Sequence, residues 1–287
     1  MSLKNKLKSL MAAIEQLPIM SAILHQKSVR RLLEHLPGLR LLYPNGWNRI
    51  HPFDRLHGTD TSGFCAATDL PTHETARAYA IDYAGSQPNV LRLALAKLPK
   101  LDDFTFIDLG CGKGRALLVA SEFSFRDIIG VELSSPLAKI TRHNAAIMSQ
   151  RFPRRTPVRV AVGDASNYPL PPGNLVVFLY NPFHAELIAN VVAGVETALA
   201  TETRSIYVIY YNPMASHCFD ASPQLHRHFA KMLPYAEQEL GYGPDRDDPV
   251  AIWQGGQVTL PTDVTANARI VVNHQSRVTI ESLQPAF

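Results

Sequence analysis

Long apolar runs and cysteine are both scarce in this sequence of 287 residues. No run of eighteen apolar residues occurs, which argues against a membrane-spanning helix. The N-terminus has no apolar segment followed by a small-residue cleavage site, so we expect a cytoplasmic protein. Cys65, Cys111 and Cys218 are odd in number and far apart, which argues against a disulfide framework and a zinc site. We therefore expect a soluble globular protein that needs no metal.

The net charge of the sequence is small as well. The net charge is +3, which is too small to indicate nucleic-acid binding by itself. Most of the positive excess lies in residues 1–50, where eight Lys or Arg stand against two Glu. Leucines recur there at helical spacing, which predicts an α-helical N-terminal appendage. Such helices either cap the main domain or bind a membrane surface or a partner.

The most informative stretch is residues 104–120, where an apolar segment leads through three glycines into a helical pattern. The apolar segment has the composition of a buried strand. Gly110, Gly112 and Gly114 lack side chains, so the backbone and the start of the next helix can come close to a ligand. This layout predicts a site for a nucleotide-type cofactor.

The spacing of the glycines narrows the choice of cofactor. The dinucleotide fingerprint would need a third glycine at the position of Arg115. A phosphate loop would need Ser or Thr after Lys113, where the chain has Gly114. Neither pattern fits in its strict form.

Acidic residues precede and follow this turn in a characteristic order. Asp108 stands before the glycines, Glu132 ends the next predicted strand, and Asp164 follows the strand after that. An acid about 20 residues after such a glycine turn typically accepts hydrogen bonds from ribose hydroxyls. The order resembles that of the class I S-adenosylmethionine-dependent methyltransferases.

The resemblance implies S-adenosylmethionine as the cofactor, with Glu132 at its ribose and Asp164 at its adenine. The residues that it implies for cofactor binding are Asp108, Gly110, Cys111, Gly112, Gly114, Glu132, Asp164 and Ala165. Tyr83 and Ser86 join them, because in methyltransferases of this build the segment before the sheet tends to fold over the methionine end. No metal is implied.

Strand and helix patterns alternate along the rest of the chain, which predicts an α/β protein with a parallel sheet covered on both faces. With the resemblance, we expect a Rossmann-like, seven-stranded, mostly parallel sheet. We expect the helical appendage and a polar loop over residues 1–72, the sheet domain over 73–256 and a C-terminal hairpin tail over 257–287.

The tripeptide Tyr-Asn-Pro follows two predicted strands, at residues 180–182 and 211–213. Ligands of parallel sheets bind at the carboxyl ends of strands. The Asn181 carbonyl could aim the lone pair of a methyl acceptor, and the ring of Phe183 or Tyr180 could stabilise positive charge that develops on nitrogen. An ordinary turn is the alternative for this tripeptide.

A closer resemblance, over about residues 83–190, is to the disruptor-of-telomeric-silencing type of protein lysine methyltransferases. Phe106-Ile-Asp-Leu-Gly-Cys-Gly, Gly130-Val-Glu132, Gly163-Asp164 and Phe178-Leu-Tyr-Asn181 carry it. The chain departs from that family in Pro182 and in its N-terminal region. We therefore expect direct methyl transfer to an N or O nucleophile of a small molecule or peptide. The alternatives are a protein lysine methyltransferase and a non-catalytic cofactor-binding or assembly protein.

A long polar loop at Asp54–Gly63 precedes the predicted sheet domain. Asp54, His57 and Asp60 could form a cluster that faces the substrate. They could equally bond the turns of their own loop.

Overall fold

The computed structural model describes residues 49–65, 83–180, 184–243, 245–257, 261–273 and 277–281. The chain divides into two compact units, one formed by Trp47–Leu240 with Asp245–Phe287 and the other by Met1–Gly46 with Gly241–Pro244. The helices and strands described below belong to the first unit. The predicted N-terminal helices, Asn181 and Phe183 lie outside the described residues.

The main feature of the fold is a sheet of seven strands in the order β5-β4-β3-β6-β7-β9-β8. The described strands are β1 (Phe64–Cys65), β2 (Tyr83–Ala84), β3 (Phe104–Leu109), β4 (Asp127–Glu132), β5 (Val158–Val162), β6 (Asn174–Tyr180), β7 (Ser205–Tyr211), β8 (His226–Pro234), β9 (Asp247–Gly256), β10 (Arg269–Val272) and β11 (Val278–Glu281). Strands β3 to β7 are mutually parallel, and β9 pairs antiparallel with both β7 and β8. The predicted seven-stranded, mostly parallel sheet is confirmed.

The described α-helices cover both faces of this sheet. They are α1 (Pro52–His57), α2 (Pro88–Leu95), α3 (Arg115–Ala120), α4 (Ser135–Arg151), α5 (Ala185–Thr201) and α6 (Ser216–Asp220). Helices α2, α3 and α4 contribute to an apolar cluster that includes Phe106 and Phe178. Helices α5 and α6 contribute to a second cluster that includes Ile107 and Leu179. Neighbouring residues of one strand point to opposite faces, so both faces of the central strands are apolar and buried.

The remaining strands form two small antiparallel pairs, β1 with β2 and β10 with β11. The predicted division of the chain at residues 72 and 256 stays a prediction. Within the part of the chain that the structure describes, none of the helices is long and apolar enough to cross a membrane.

Phe178 tests how strongly the central strands depend on this packing. Its ring is 1% exposed and stacks on Phe106 with 5.9 Å between the centroids. Phe178→Ala should lower the free energy of unfolding by about 3–5 kcal/mol, the usual cost of such a truncation in a core. The control Val264→Ala changes a side chain in a residue that is 97% exposed, and it should have almost no effect. Urea unfolding of both variants measures the difference, and equal small losses would contradict the proposed role of this core.

Candidate functional site

The glycine turn, residues 110–114, connects β3 to α3 at the carboxyl edge of the sheet. Gly110, Gly112 and Gly114 have φ values of 88°, 54° and 86°, in the left-handed region that glycine adopts without strain. A Cβ on Gly112 would lie 2.3 Å from the Tyr83 ring, and one on Gly114 would lie 2.4 Å from Thr141. The turn therefore needs glycine both for its backbone and for its close contacts.

Two buried carboxylates meet at this turn. Glu132 Oε2 accepts a hydrogen bond of 2.8 Å from the Gly112 amide, and Oε1 accepts one of 2.8 Å from the Ser134 amide. Burial raises the pKa of Glu132, although the two backbone bonds oppose the shift. Burial and, to a smaller extent, the charge of Glu132 raise the pKa of Asp108 well above its ordinary value. This pair favours a ligand that brings positive charge and hydroxyl donors.

The third acid, Asp164, lies in the loop after β5. It is exposed, and it accepts hydrogen bonds from the amide and hydroxyl of Ser166 and from the side chain of Asn167. Partial burial opposes the shift, but these hydrogen bonds lower the pKa of Asp164. Ala165 beside it is buried. The ends of β3, β4 and β5 thus each carry one of the predicted acids, in adjacent strands.

Cys111 belongs to the turn through its backbone. Its thiol is buried, and a Cβ on Gly130 would lie 2.7 Å from its sulfur. Burial raises the pKa of this thiol well above its ordinary value, and the charges of Asp108 and Glu132 add to the shift. Cys111 therefore fills a tight space and is not an activated nucleophile.

The polar loop at Asp54–Gly63 packs against this turn. Asp54 is buried and accepts hydrogen bonds from Thr59, Thr61 and Ser62 of the same loop. The His57 ring packs between the rings of Phe53 and Phe152, with centroid distances of 4.5 and 5.8 Å. Asp54 and His57 thus stabilise the loop itself. Of the three residues considered from the sequence, Asp60 is the one with an exposed side chain, and it pairs with Lys113 at 2.9 Å.

A cluster of tyrosines and one carboxylate lies further along the same edge of the sheet. Tyr180, at the end of β6, stacks on Tyr211, at the end of β7, with 4.3 Å between centroids and an interplanar angle of 12°. Asp248 Oδ2 accepts hydrogen bonds from the hydroxyls of Tyr211 and Tyr235, the second at 2.7 Å. The Gln87 amide donates to the Tyr211 hydroxyl at 3.4 Å, which links this cluster to the segment before α2.

The predicted cofactor residues of β3, β4, β5 and their following loops lie at one edge of the sheet, and Tyr83 and Ser86 are linked to it through Gly112 and Arg115. Sequence reasoning missed Asp248 and Tyr235, because no local pattern in the sequence indicates that their side chains meet at this edge of the sheet. It also treated Arg115 only as a missing glycine. In the described part of the chain, no group of three or more His, Cys, Asp or Glu is arranged to hold a metal ion.

Comparisons with known proteins agree with this geometry. Residues 107–200 match the family described as a methyltransferase domain. The match runs from β3 to α5 and so contains the glycine turn, Glu132 and Asp164. Together with the strand order, it shows that this chain contains an S-adenosylmethionine-dependent methyltransferase domain with a Rossmann-like sheet. The more specific resemblance to the disruptor-of-telomeric-silencing type stays a prediction.

Solved structures overlap with part of the chain at low identity. The YcgJ protein from Bacillus subtilis is 13% identical with a TM-score of 0.42, and the alignment covers 59% of this chain and 98% of that one. An RNA methyltransferase from Salinibacter ruber, in complex with S-adenosyl-L-homocysteine, is 14% identical with a TM-score of 0.36, covering 61% and 95%. No curated protein matches this chain in sequence.

Gly112→Ala tests the close contact in the glycine turn. The added methyl group would collide with the Tyr83 ring at a position of positive φ, so the variant should lose about 1–3 kcal/mol of stability. Gly194→Ala is the control, because a Cβ at this helical position meets nothing within 4 Å and should stabilise the helix slightly. Thermal unfolding followed by circular dichroism compares the two, and a neutral Gly112→Ala would show that Tyr83 moves away freely.

Proposed function

We propose that this enzyme transfers the methyl group of S-adenosylmethionine directly to an N or O nucleophile of a small molecule or peptide. The observation that carries the proposal is the buried Glu132 carboxylate, held against the Gly112 amide at the ends of two adjacent parallel strands. Each carboxylate oxygen retains a lone pair after its backbone hydrogen bond. Glu132 can therefore accept a hydrogen bond from each of two ribose hydroxyls.

The strand order supports one direction for the cofactor across the sheet edge. With Glu132 holding the ribose at the end of β4, Asp164 and Ala165 would hold the adenine on the side of β5. The glycine turn would then hold the methionine end, on the side of β3 and β6. Asp108 would lie near the sulfonium and ammonium groups, where a bound cation favours the carboxylate form of this residue, and Tyr83 and Ser86 would flank this end.

The methyl acceptor enters on the side of β6 and β7. In-line transfer requires mainly that the nucleophile be held against the methyl group with its lone pair aligned. Tyr180 lies at this edge, directly before Asn181 in the sequence. We propose that Asn181 aims the lone pair and that the ring of Phe183 or Tyr180 stabilises the positive charge that develops on nitrogen. The net charge of +3 favours a small molecule or peptide over nucleic acid as the acceptor. The resemblance over residues 83–190 makes a protein lysine the second candidate.

Asp248 is suited to take the proton that the acceptor must lose. Two tyrosine hydroxyls donate hydrogen bonds to its Oδ2, and no described residue donates one to its Oδ1. When bound, S-adenosylmethionine would supply an electrophilic methyl group to the acceptor. The Asp248 carboxylate would accept the proton that the acceptor loses. The products are the methylated acceptor and S-adenosylhomocysteine.

Calorimetry tests the cofactor site. S-adenosylmethionine and S-adenosylhomocysteine should bind, and NAD should not, because Arg115 occupies the third-glycine position of the dinucleotide fingerprint. Glu132→Gln should weaken the binding of S-adenosylhomocysteine by about 10- to 100-fold, the scale of a lost hydrogen bond to a charged group. Glu186→Gln, at an exposed position of α5, is the control. Preferential binding of NAD would refute the assignment.

The pH profile of turnover tests Asp248. Burial is the largest cause that raises the pKa of this carboxyl, to about 7, and the charges of Asp245 and Asp247 add to it. Only the deprotonated carboxylate can accept a proton, so kcat/KM on an identified acceptor should rise as the pH increases through about 7. Asp248→Asn should remove this limb and lower kcat by about 10²- to 10⁴-fold. Its affinity for S-adenosylhomocysteine should be unchanged, and wild-type turnover in the variant would rule the role out.

A further inference from the structure

Arg115, the first residue of α3, is 4% exposed and directs its guanidinium to two segments that precede the glycine turn in the chain. Nε donates to the Thr61 hydroxyl at 2.7 Å, and Nη2 donates to the Thr61 carbonyl at 2.8 Å. Nη1 donates to the Ser86 carbonyl at 3.3 Å. The Arg115 side chain thus links Thr61 and Ser86 to the beginning of α3.

The Thr59–Ser62 segment is itself organised by Asp54. Asp54 Oδ1 accepts hydrogen bonds from the Thr59 hydroxyl at 2.7 Å and from the amide and hydroxyl of Thr61 at 3.0 and 2.7 Å. Asp54 Oδ2 lies 3.7 Å from Arg115 Nη2, and both side chains are almost fully buried. A buried carboxylate and guanidinium depend on each other, since removing either leaves the other charge uncompensated.

Further contacts place this segment beside the glycine turn. Lys113 Nζ donates to Asp60 at 2.9 Å and to the Ser62 carbonyl at 2.7 Å. Asn144 of α4 donates to the carbonyls of Asp60 and Lys113. The Tyr83 hydroxyl donates to the Thr61 carbonyl at 2.8 Å while its ring lies against Gly112. Residues 59–62, Tyr83 and Ser86 therefore form one connected wall along the turn.

We propose that Arg115 is a positioning residue for the methionine end of the cofactor, because it holds this wall in place. The inference rests on the proposed direction of the cofactor, with the ribose at Glu132 and the methionine end along the turn. Arg115 would then make the site prefer ligands that carry the amino-acid part of methionine over shorter ligands that lack it. Its planar fork makes three contacts that a lysine could not reproduce.

The test compares two ligands that differ only at the methionine end. S-adenosylhomocysteine carries the amino-acid chain, and 5′-methylthioadenosine ends at a methyl group on the same sulfur. Arg115→Gln should weaken the binding of S-adenosylhomocysteine by about 10- to 100-fold, the scale of charge-assisted hydrogen bonds. The affinity for 5′-methylthioadenosine should stay within about twofold, since its sites at Glu132 and Asp164 are untouched. Arg115→Lys should recover only part of the loss.

A second variant and a control complete the experiment. Thr61→Val removes one hydroxyl that accepts from Arg115 and donates to Asp54, and it should shift the ratio of the two affinities in the same direction. Arg92→Gln breaks a partly buried ion pair with Glu122, and it should leave both affinities unchanged. Unfolding midpoints of all variants show whether each is folded at the temperature of the titration.

The outcomes separate this inference from the proposed function. Equal loss of both ligands in Arg115→Gln and Thr61→Val would mean a general structural role and would overturn the inference. Unchanged affinity for S-adenosylhomocysteine would overturn it as well. If the wild-type protein bound neither ligand, the proposed cofactor placement itself would be wrong. Loss confined to S-adenosylhomocysteine, with the Arg92→Gln control unaffected, would support a positioning role.

Discussion

The hydrogen bond from the Gly112 amide to the Glu132 carboxylate is the contact on which the site depends. It joins the turn after β3 to the end of β4, so the glycine turn is held by a residue of the neighbouring strand. Burial raises the pKa of Glu132, and burial together with the charge of Glu132 raises that of Asp108. A cationic ligand with hydroxyl donors relieves this accumulation of buried acid, and S-adenosylmethionine has both properties.

Two sets of residues extend from this turn in opposite directions along the sheet edge. Toward β5, Asp164 lies in an exposed loop held by its own hydrogen bonds. Toward β6 and β7, the segment before α2 reaches Tyr211 through the Gln87 amide, and Tyr211 in turn bonds Asp248. The predicted cofactor residues and the proposed proton acceptor are thus connected through protein contacts.

Individual residues show how far the sequence was sufficient. Glu132 is predicted from its place at the end of an apolar strand about 20 residues after the glycine turn, and Asp164 from the resemblance to the methyltransferase family. Arg115 was visible only as a departure from a glycine pattern, since the segment that it binds lies about 50 residues earlier in the chain. For Asp54, the sequence left two roles open, and the structure shows a buried acceptor that organises its own loop. Asp248 carried no local signal, because it reaches the sheet edge through the antiparallel strand β9.

The sequence by itself determined the fold class, the glycine turn and the order of the three acids, because these follow from local apolar patterns and from the alternation of strands and helices. Only the tertiary structure decided which distant residues meet at the turn. Thr61, Tyr83 and Ser86 contact Arg115 or Gly112 across long stretches of chain, and no periodicity in sequence encodes such contacts. The pairing of Tyr211 and Tyr235 with Asp248 likewise depends on the position of β8 and β9 in the sheet, which is fixed by packing and not by local propensity.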